Sequence, residues 1–180
     1  RDERAVEAFI ANQGPVDVVI HLAGLKSVAE SVQEPDRYYE VNIGSTLALL
    51  RVMRRVGIDR LVFSSSATVY GSNPTVPHLE RATTGVGIPS PYGKTKHFIE
   101  EMLRDACAAD PALTVTALRY FNPVGAHPSG LIGEDPKGPP NNLLPIVAGV
   151  ARGTRDDVAY DISGIPSVDD KARLPFGLDA

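Results

Sequence analysis

The 180-residue sequence predicts an α/β fold in which helices cover both faces of a parallel sheet. Two observations support this prediction. Short apolar segments of strand length alternate with helical segments along the chain. These strands scarcely alternate between apolar and polar residues, which is typical of strands that are buried on both faces. The sequence contains no internal repeat.

The first part of the chain is predicted to form a helix, a strand and a long helical stretch. Asp2 can cap a helix that runs to about Asn12, and a strand follows from Val16 to Ala23. Residues 35–56 form the long helical stretch. Gly57 closes it, because glycine readily adopts the left-handed conformation found after helix ends.

The second part of the chain continues the same alternation. Leu61-Val62-Phe63 is a short apolar strand, and a helix runs from the N-cap residue Ser90 to about Cys107. Leu113 to Leu118 is a third strand, and Asn142 to Ala151 is a further helix. We therefore expect at least three parallel strands connected by helices.

Composition narrows the classes of function. The formal net charge is -4 and no basic stripe with interleaved aromatic residues occurs, so nucleic acid is not expected as a partner. The longest apolar runs have strand length, so no membrane contact is predicted. A single cysteine, Cys107, fits a reducing compartment, and we predict a cytoplasmic protein. The four histidines lack the spacing of metal ligands, so no metal site is predicted.

The most informative motif is Tyr92-Gly93-Lys94-Thr95-Lys96, which directly follows Ser90-Pro91. Residues four apart on a helix share one face, so the Tyr92 phenol and the Lys96 ammonium can approach each other. A tyrosine ionises near pH ~10, and lowering its pKa to ~7 takes roughly 4 kcal/mol. A cation at about 4 Å supplies energy of that order in a partly buried site. The spacing therefore predicts a tyrosine general base, although the same spacing also occurs on solvated helix faces.

A serine cluster, Ser64-Ser65-Ser66, follows the Leu61 strand directly. Open parallel sheets bind their ligands at the carboxyl ends of their strands, so these hydroxyl groups are placed where a ligand is expected. The alternative interpretation is a hydroxyl-rich turn without chemistry. Together with Tyr92 and Lys96, a serine here would complete a triad of serine, tyrosine and lysine.

With these motifs the chain resembles the extended short-chain dehydrogenase/reductase family and, within it, the UDP-glucose 4-epimerases. The resemblance covers about residues 1–155 and rests on long, irregular stretches of sequence. These stretches are Val19 to Lys26, Ser64 to Gly71, Ser90 to Lys96, Leu118 to Gly130, Gly133 to Pro136 and Pro140 to Leu143.

The resemblance implies a partial Rossmann-like, doubly wound sheet whose first strands are missing. Residues 1–155 would be an incomplete NAD-binding domain with the start of the substrate-binding part, and residues 156–180 a divergent tail. The implied cofactor is NAD and the implied substrate is a UDP-hexose. Tyr92, assisted by Lys96, would take the proton of the sugar 4-hydroxyl while hydride passes from C4 to NAD. Return of the hydride to the other face of the 4-keto sugar would complete the epimerisation.

The resemblance also implies which residues form the site. Catalytic roles fall to Tyr92, Lys96 and Ser66. The implied cofactor contacts are Leu22, Ala23, Gly24, Leu25, Lys26, Asn42, Ser64, Tyr92, Lys96 and Phe121. The implied substrate contacts are Lys26, Ser66, Tyr92, Asn122, Asn142 and Leu143. Structural alternatives remain for three of them: a strand-ending turn at Gly24, a cap or kink at Asn42, and a helix N-cap at Asn142.

Two departures from the family pattern matter. The glycine-rich turn that holds the cofactor pyrophosphate is absent from the sequence, and the resemblance fades after about Arg155. Losing about three charge-assisted hydrogen bonds would weaken cofactor binding by roughly 5–9 kcal/mol. We therefore expect the chain by itself to bind NAD weakly and to turn over negligibly.

Two other functions remain open at this point. One is a related nucleotide-sugar enzyme such as a 4,6-dehydratase or a reductase, which would use the same tyrosine and lysine. The other is a fragment without catalytic activity. The family resemblance further implies a homodimer formed through the helices at about residues 35–56 and 91–108.

Overall fold

A computed structural model describes residues 1–73, 75–125, 127–132 and 143–156 of the chain. Its centre is a three-stranded parallel sheet with the order β1-β2-β3, formed by β1 (Val19–His21), β2 (Arg60–Ser66) and β3 (Thr114–Tyr120). Leu61 of β2 pairs with Val19 on one side and with Val115 on the other. The predicted parallel α/β arrangement is confirmed.

Helices connect the strands, as the sequence predicts. They are α1 (Glu3–Ala11), α2 (Val28–Gln33), α3 (Pro35–Tyr38), a π-helical turn (Tyr39–Ile43), α4 (Gly44–Val56), a 3-10 turn (Ala67–Tyr70), α5 (Pro91–Ala109) and α6 (Leu143–Ala151). No helix in these ranges combines the length and the apolar character needed to cross a membrane.

The predicted helix ends are confirmed at three positions. The Asp2 carboxylate accepts a hydrogen bond from the Ala5 N–H at the start of α1. Gly57 ends α4 in the left-handed conformation, with φ of 74°. Ser90 caps α5 by accepting a bond from the Gly93 N–H at 3.2 Å. Each cap satisfies backbone groups that a helix end leaves free.

The boundaries of several elements differ from the predictions. Strand β1 has three residues instead of the predicted Val16 to Ala23. Strand β2 runs to Ser66 and includes all three serines, because each of them pairs with a residue of β3. Helix α2 was not predicted, although Ser27 caps it by accepting a hydrogen bond from the Glu30 N–H. The long helical stretch also contains a π-helical turn, which widens it around Asn42.

The chain divides into two compact units, Arg1–Phe121 and Asn122–Ala180. The first unit has its core on one face of the sheet, where α4 and α5 pack against β2. This core consists of Met53, Ile58, Leu61, Phe63, Ile99 and Leu103. Full burial of a side chain of this size contributes about 1.5–3 kcal/mol, so the core fixes α5 against the sheet.

The other face of the sheet is open within the described part of the first unit. Ile20, Leu118 and Tyr120 alternate with the core-facing residues and are substantially exposed. Among the described residues of the first unit, the helices that the sequence predicts therefore cover one face of the sheet. In the second unit, α6 is the described helix. The proposed boundary near residue 155 stays a prediction, because residues 157–180 lie outside the described ranges.

Candidate active site

Tyr92 and Lys96 lie on one side of the first two turns of α5. The ammonium nitrogen of Lys96 is 5.8 Å from the centre of the Tyr92 ring. Proline at the first helical position and the Ser90 cap fix where α5 begins, and thereby fix this turn. The expected approach of the two side chains is present in the structure.

Lys96 is buried at the carboxyl end of β2. Its Nζ donates a hydrogen bond of 2.6 Å to the carbonyl oxygen of Ser64 and lies 4.9 Å from the centre of the Phe63 ring. Burial disfavours the charged form and lowers the pKa of Lys96 to about 8. At neutral pH this group is therefore still mostly a cation, held close to the phenol.

Ser66 is the last residue of β2 and lies near the Tyr92 phenol. Its hydroxyl oxygen accepts hydrogen bonds from the N–H and the hydroxyl of Thr68, at 3.3 and 3.0 Å. The Ser66 hydroxyl acts to lower the pKa of the phenol. The structure thus brings together the serine, tyrosine and lysine that the sequence singles out.

The expected lowering of the Tyr92 pKa is wrong for the chain as it stands. Burial raises the pKa of Tyr92 above its ordinary value of 10.0, and the interaction with Ser66 only partly opposes this effect. The reason is that removing a phenolate from water costs more than the one nearby hydroxyl returns. The phenol is therefore protonated at neutral pH.

A loop from Leu22 to Lys26 follows β1, next to the end of β2. Leu22, Ala23, Gly24 and Lys26 are exposed, so their backbone is accessible to a ligand. Gly24 has φ of 158°, and a Cβ there would lie 3.0 Å from the side-chain oxygen of Asn42. Glycine is therefore required both by the backbone conformation and by this close approach.

Asn42 fastens this loop to α5. Its side-chain oxygen accepts from the Leu25 N–H at 2.8 Å, and its amide nitrogen donates to the Leu25 carbonyl and to the Thr95 hydroxyl, each at 3.1 Å. Thr95 lies between Tyr92 and Lys96 in the sequence. The Asn42 side chain thus holds the Leu22–Lys26 loop beside the turn of α5 that contains Tyr92 and Lys96. It makes no capping hydrogen bond at the start of α4, and its contact with the cofactor stays a prediction.

The remaining predicted contacts are distributed over both units. Phe121 follows β3 and is 63% exposed, with its ring stacked at 6.3 Å from Tyr70 and 6.2 Å from His78. Asn122 and Leu143 belong to the second unit, and both are exposed. Asn142 lies outside the described residues.

Sequence reasoning missed a buried polar cluster beside the site. Glu100, one turn beyond Lys96, accepts hydrogen bonds from Ser65 and Arg119. Two features of the sequence indicate such a cluster. Arg119 is a charged residue in an otherwise uncharged strand, and Glu100 is a carboxylate four residues after Lys96. Neither signal identifies its partner without the three-dimensional arrangement.

The arrangement can bind a flat polar ligand and move a proton. Exposed backbone at the end of β1, a buried cation and a phenol beside a hydroxyl all meet at the carboxyl end of parallel strands, where such sheets bind ligands. Within the described ranges, no group of three or more His, Cys, Asp or Glu residues is placed to hold a metal ion. The chemistry available to these side chains is acid–base.

Comparison with known proteins adds independent information. Residues 1–160 match the NAD dependent epimerase/dehydratase family. A UDP-glucose 4-epimerase of Yersinia pestis is 50% identical over 169 residues, which are 94% of this chain and 49% of the relative. The human UDP-glucose 4-epimerase is 58% identical over 138 residues, covering 77% of this chain and 39% of the relative.

Solved structures agree with these relatives. The UDP-glucose 4-epimerase of Bifidobacterium longum in complex with NAD+ and UDP has a TM-score of 0.81 and 53% identity. The match covers 87% of this chain and 46% of that one. The chain therefore spans about half the length of the relatives that it matches.

Proposed function

Because the chain belongs to the NAD dependent epimerase/dehydratase family, we propose that the protein containing it is a UDP-glucose 4-epimerase. It would interconvert UDP-glucose and UDP-galactose, a reaction of galactose metabolism. The observation that carries the proposal is the meeting of Tyr92, Lys96 and Ser66 at the carboxyl end of β2. The names of the relatives support the choice of substrate.

NAD is the proposed cofactor, and it supplies a hydride acceptor that later returns the hydride to the sugar. The residues proposed to hold it are the Leu22–Lys26 loop, Asn42, Ser64, Tyr92, Lys96 and Phe121. The loop offers exposed backbone groups, while Asn42 keeps the loop in place through Leu25. The buried Lys96 cation offers a donor directed at the end of the sheet.

Tyr92 is the proposed acid and base for the sugar 4-hydroxyl. Its phenol begins protonated, so the phenolate must be favoured when the proton moves. Lys96 is the cation proposed to favour the phenolate, because its ammonium nitrogen lies 5.8 Å from the centre of the Tyr92 ring and opposite charges attract strongly where water is excluded.

The remaining contacts to the substrate are proposed as follows. Ser66 would orient the sugar 4-hydroxyl next to Tyr92, since the two side chains already interact. Lys26, Asn122, Asn142 and Leu143 would contact the UDP portion. Of these, Lys26 is the exposed last residue of the Leu22–Lys26 loop, which follows β1.

Tyr92→Phe in the whole protein tests the proposal. The variant keeps the ring and removes the group that moves the proton, so kcat is expected to fall by about 10²-fold or more. Tyr39→Phe is the matched control, because its ring stacks on Phe98, which lies two residues after Lys96 and therefore on a different side of α5. We expect it to retain activity.

Product analysis separates the candidate functions. Formation of UDP-galactose from UDP-glucose supports the epimerase. A 6-deoxy-4-keto product would identify a dehydratase instead, and undiminished turnover of Tyr92→Phe would remove Tyr92 from the mechanism.

A homodimer and a cytoplasmic location complete the proposal. Leu47 of α4 and Phe98 of α5 are exposed apolar residues, and Phe98 stacks on Tyr39. These side chains give the two long helices an apolar surface that a second copy could cover. Sedimentation velocity of the whole protein tests the dimer, and a monomer at micromolar concentration would contradict it.

The cytoplasmic location rests on the single cysteine.

A further inference from the structure

We infer that Glu100 and Arg119 are positioning residues, which set the register of α5 on β2 and so place Tyr92 and Lys96. The consequence for catalysis rests on the proposed function, whereas the consequence for the position of Tyr92 does not. Neither residue is among those that the sequence analysis assigns to the site.

One side of α5 is joined by hydrogen bonds to the serines at the end of β2. Tyr92, Lys96 and Glu100 follow each other at intervals of four residues, so they lie along one side of the helix. Lys96 donates to the Ser64 carbonyl, and Glu100 accepts from the Ser65 hydroxyl at 2.5 Å. Two successive turns of the helix are thus each fixed to one residue at the end of β2, and Tyr92 lies one turn before them.

The Glu100 end of this pairing is the most constrained. Glu100 is only 3% exposed, and Arg119 of β3 donates to both of its oxygens, from Nε at 3.0 Å and from Nη2 at 2.7 Å. The same guanidinium donates through Nη1 to the Tyr70 hydroxyl and the Glu80 carbonyl. Arg119 is therefore held by three separate segments of the chain.

A paired guanidinium and carboxylate can fix a register that apolar packing cannot. The core residues Ile99 and Leu103 hold α5 against the sheet, but hydrophobic contact is not directional. A two-pronged Arg–carboxylate contact is satisfied in one orientation only. Replacing such a pair by apolar residues often costs little stability. The main contribution of the Arg119–Glu100 pair is therefore to fix where α5 lies on the sheet.

Glu100 itself is too far along the helix to take part in proton transfer. It lies eight residues after Tyr92, which is about 12 Å along the helix axis. Both carboxylate oxygens already accept hydrogen bonds, and Arg119 and Ser65 hold the pKa of Glu100 below its usual range despite burial. Its influence on Tyr92 must therefore pass through the placement of α5.

The test compares two conservative substitutions. Arg119→Lys keeps the charge but loses the two-pronged contact. Arg104→Lys makes the same change at an exposed arginine that contacts the same carboxylate at 3.3 Å and is the matched control. Ser65→Ala is a further test variant, in case Arg119→Lys does not fold. It removes the hydroxyl that joins Glu100 to β2.

The first measurement is the ionisation of Tyr92 in the 180-residue chain, followed by 19F NMR after incorporation of 3-fluorotyrosine. The Tyr92 resonance is assigned through Tyr92→Phe. Burial raises the Tyr92 pKa, so displacement of α5 in Arg119→Lys and Ser65→Ala is expected to lower it by about half a unit or more. Arg104→Lys is expected to leave it unchanged.

The second measurement is the kinetics of the whole protein. A misplaced catalytic group costs up to about 10²-fold in rate, so kcat of Arg119→Lys is expected to fall by about 10- to 100-fold. KM for UDP-glucose is expected to change by less than about threefold, because the binding residues are intact.

Each outcome decides the inference. A lower melting temperature with an unchanged Tyr92 ionisation, in Arg119→Lys or in Ser65→Ala, means that the cluster is merely structural and overturns it. A changed Tyr92 ionisation in a whole protein without epimerase activity supports the positioning role and refutes the proposed function. Equal effects of Arg104→Lys and Arg119→Lys would show that the two-pronged contact of Arg119 is not what places Tyr92, and would also overturn the inference.

Discussion

The burial of Lys96 has a cost in stability. It is a cation in a nearly dry position, where a carbonyl oxygen, the Phe63 ring and the Tyr92 ring surround it. Burial lowers its pKa from 10.5 to about 8, which corresponds to about 3 kcal/mol against the folded state at neutral pH. The same lack of solvent strengthens electrostatic interactions at this position, which is why Lys96 is proposed to act on Tyr92.

Lys96→Met is therefore expected to stabilise the chain by about 1–3 kcal/mol at pH 7, since the Ser64 carbonyl loses its donor and offsets part of the gain. The effect depends on pH in a defined direction. Between about pH 8 and 10.5 the unfolded chain keeps a proton that the folded chain releases, so the stability of the unsubstituted chain rises with pH. The advantage of Lys96→Met should shrink over this range. Urea unfolding at several pH values measures it.

Lys94→Met is the control for this prediction, because Lys94 is exposed in the same turn of α5. Its stability difference should be small at every pH. A Lys96→Met variant that is less stable at pH 7 would show that the hydrogen bond to Ser64 outweighs the burial of the charge.

At the scale of elements, Gly93 allows α5 to approach the 3-10 turn after β2. A Cβ at Gly93 would lie 2.7 Å from the Ile88 side chain and 3.1 Å from the Thr68 side chain. Thr68 in turn donates to Ser66. The helix carrying Tyr92 and the 3-10 turn carrying Thr68 can therefore be close only because Gly93 has no side chain.

Gly93→Ala is expected to destabilise the chain by about 1–3 kcal/mol and to reduce kcat of the whole protein, because overpacking would separate α5 from Ser66. Gly57→Ala is the control. Its left-handed backbone costs about 1–2 kcal/mol on substitution, but no atom lies within 4 Å of the added Cβ. Urea unfolding and steady-state kinetics measure both variants. If kcat falls equally in the two, the loss reflects stability and not the packing of α5.

The elements also explain what the sequence could and could not predict. Asp2, Gly57 and Ser90 mark helix ends by local chemistry, so their positions could be predicted from neighbouring residues alone. The Tyr92–Lys96 approach follows from helical spacing in the same way. The direction of the Tyr92 pKa could not be predicted, because burial depends on how α5 packs against β2.

The same limit applies to long-range pairs. Arg119 and Glu100 are 19 residues apart, and Asn42 and Thr95 are 53 apart. No local pattern links these partners. The π-helical turn that contains Asn42 was missed for the same reason, since the contacts of Asn42 to Leu25 and Thr95 lie far away in the sequence.

At the scale of the molecule, all residues of the core cluster precede Phe121, where the first compact unit ends. The cluster joins α4, α5 and all three strands through Leu61, Phe63 and the partly buried Val19 and Val115. A unit of this size with one shared core is expected to unfold in one cooperative transition. The turn of α5 that contains Tyr92 and Lys96 belongs to this unit.

A chain shortened to residues 1–121 is therefore expected to unfold cooperatively, with a melting temperature within about 5 °C of the 180-residue chain. Circular dichroism at several protein concentrations measures this and reveals self-association through the open face of the sheet. Leu103→Ala in the shortened chain should lose about 2–5 kcal/mol, because Leu103 is 2% exposed in the core. A broad transition without that sensitivity would mean that residues after Phe121 are needed to complete the core. In that case the placement of Tyr92 and Lys96 would depend on the second unit as well.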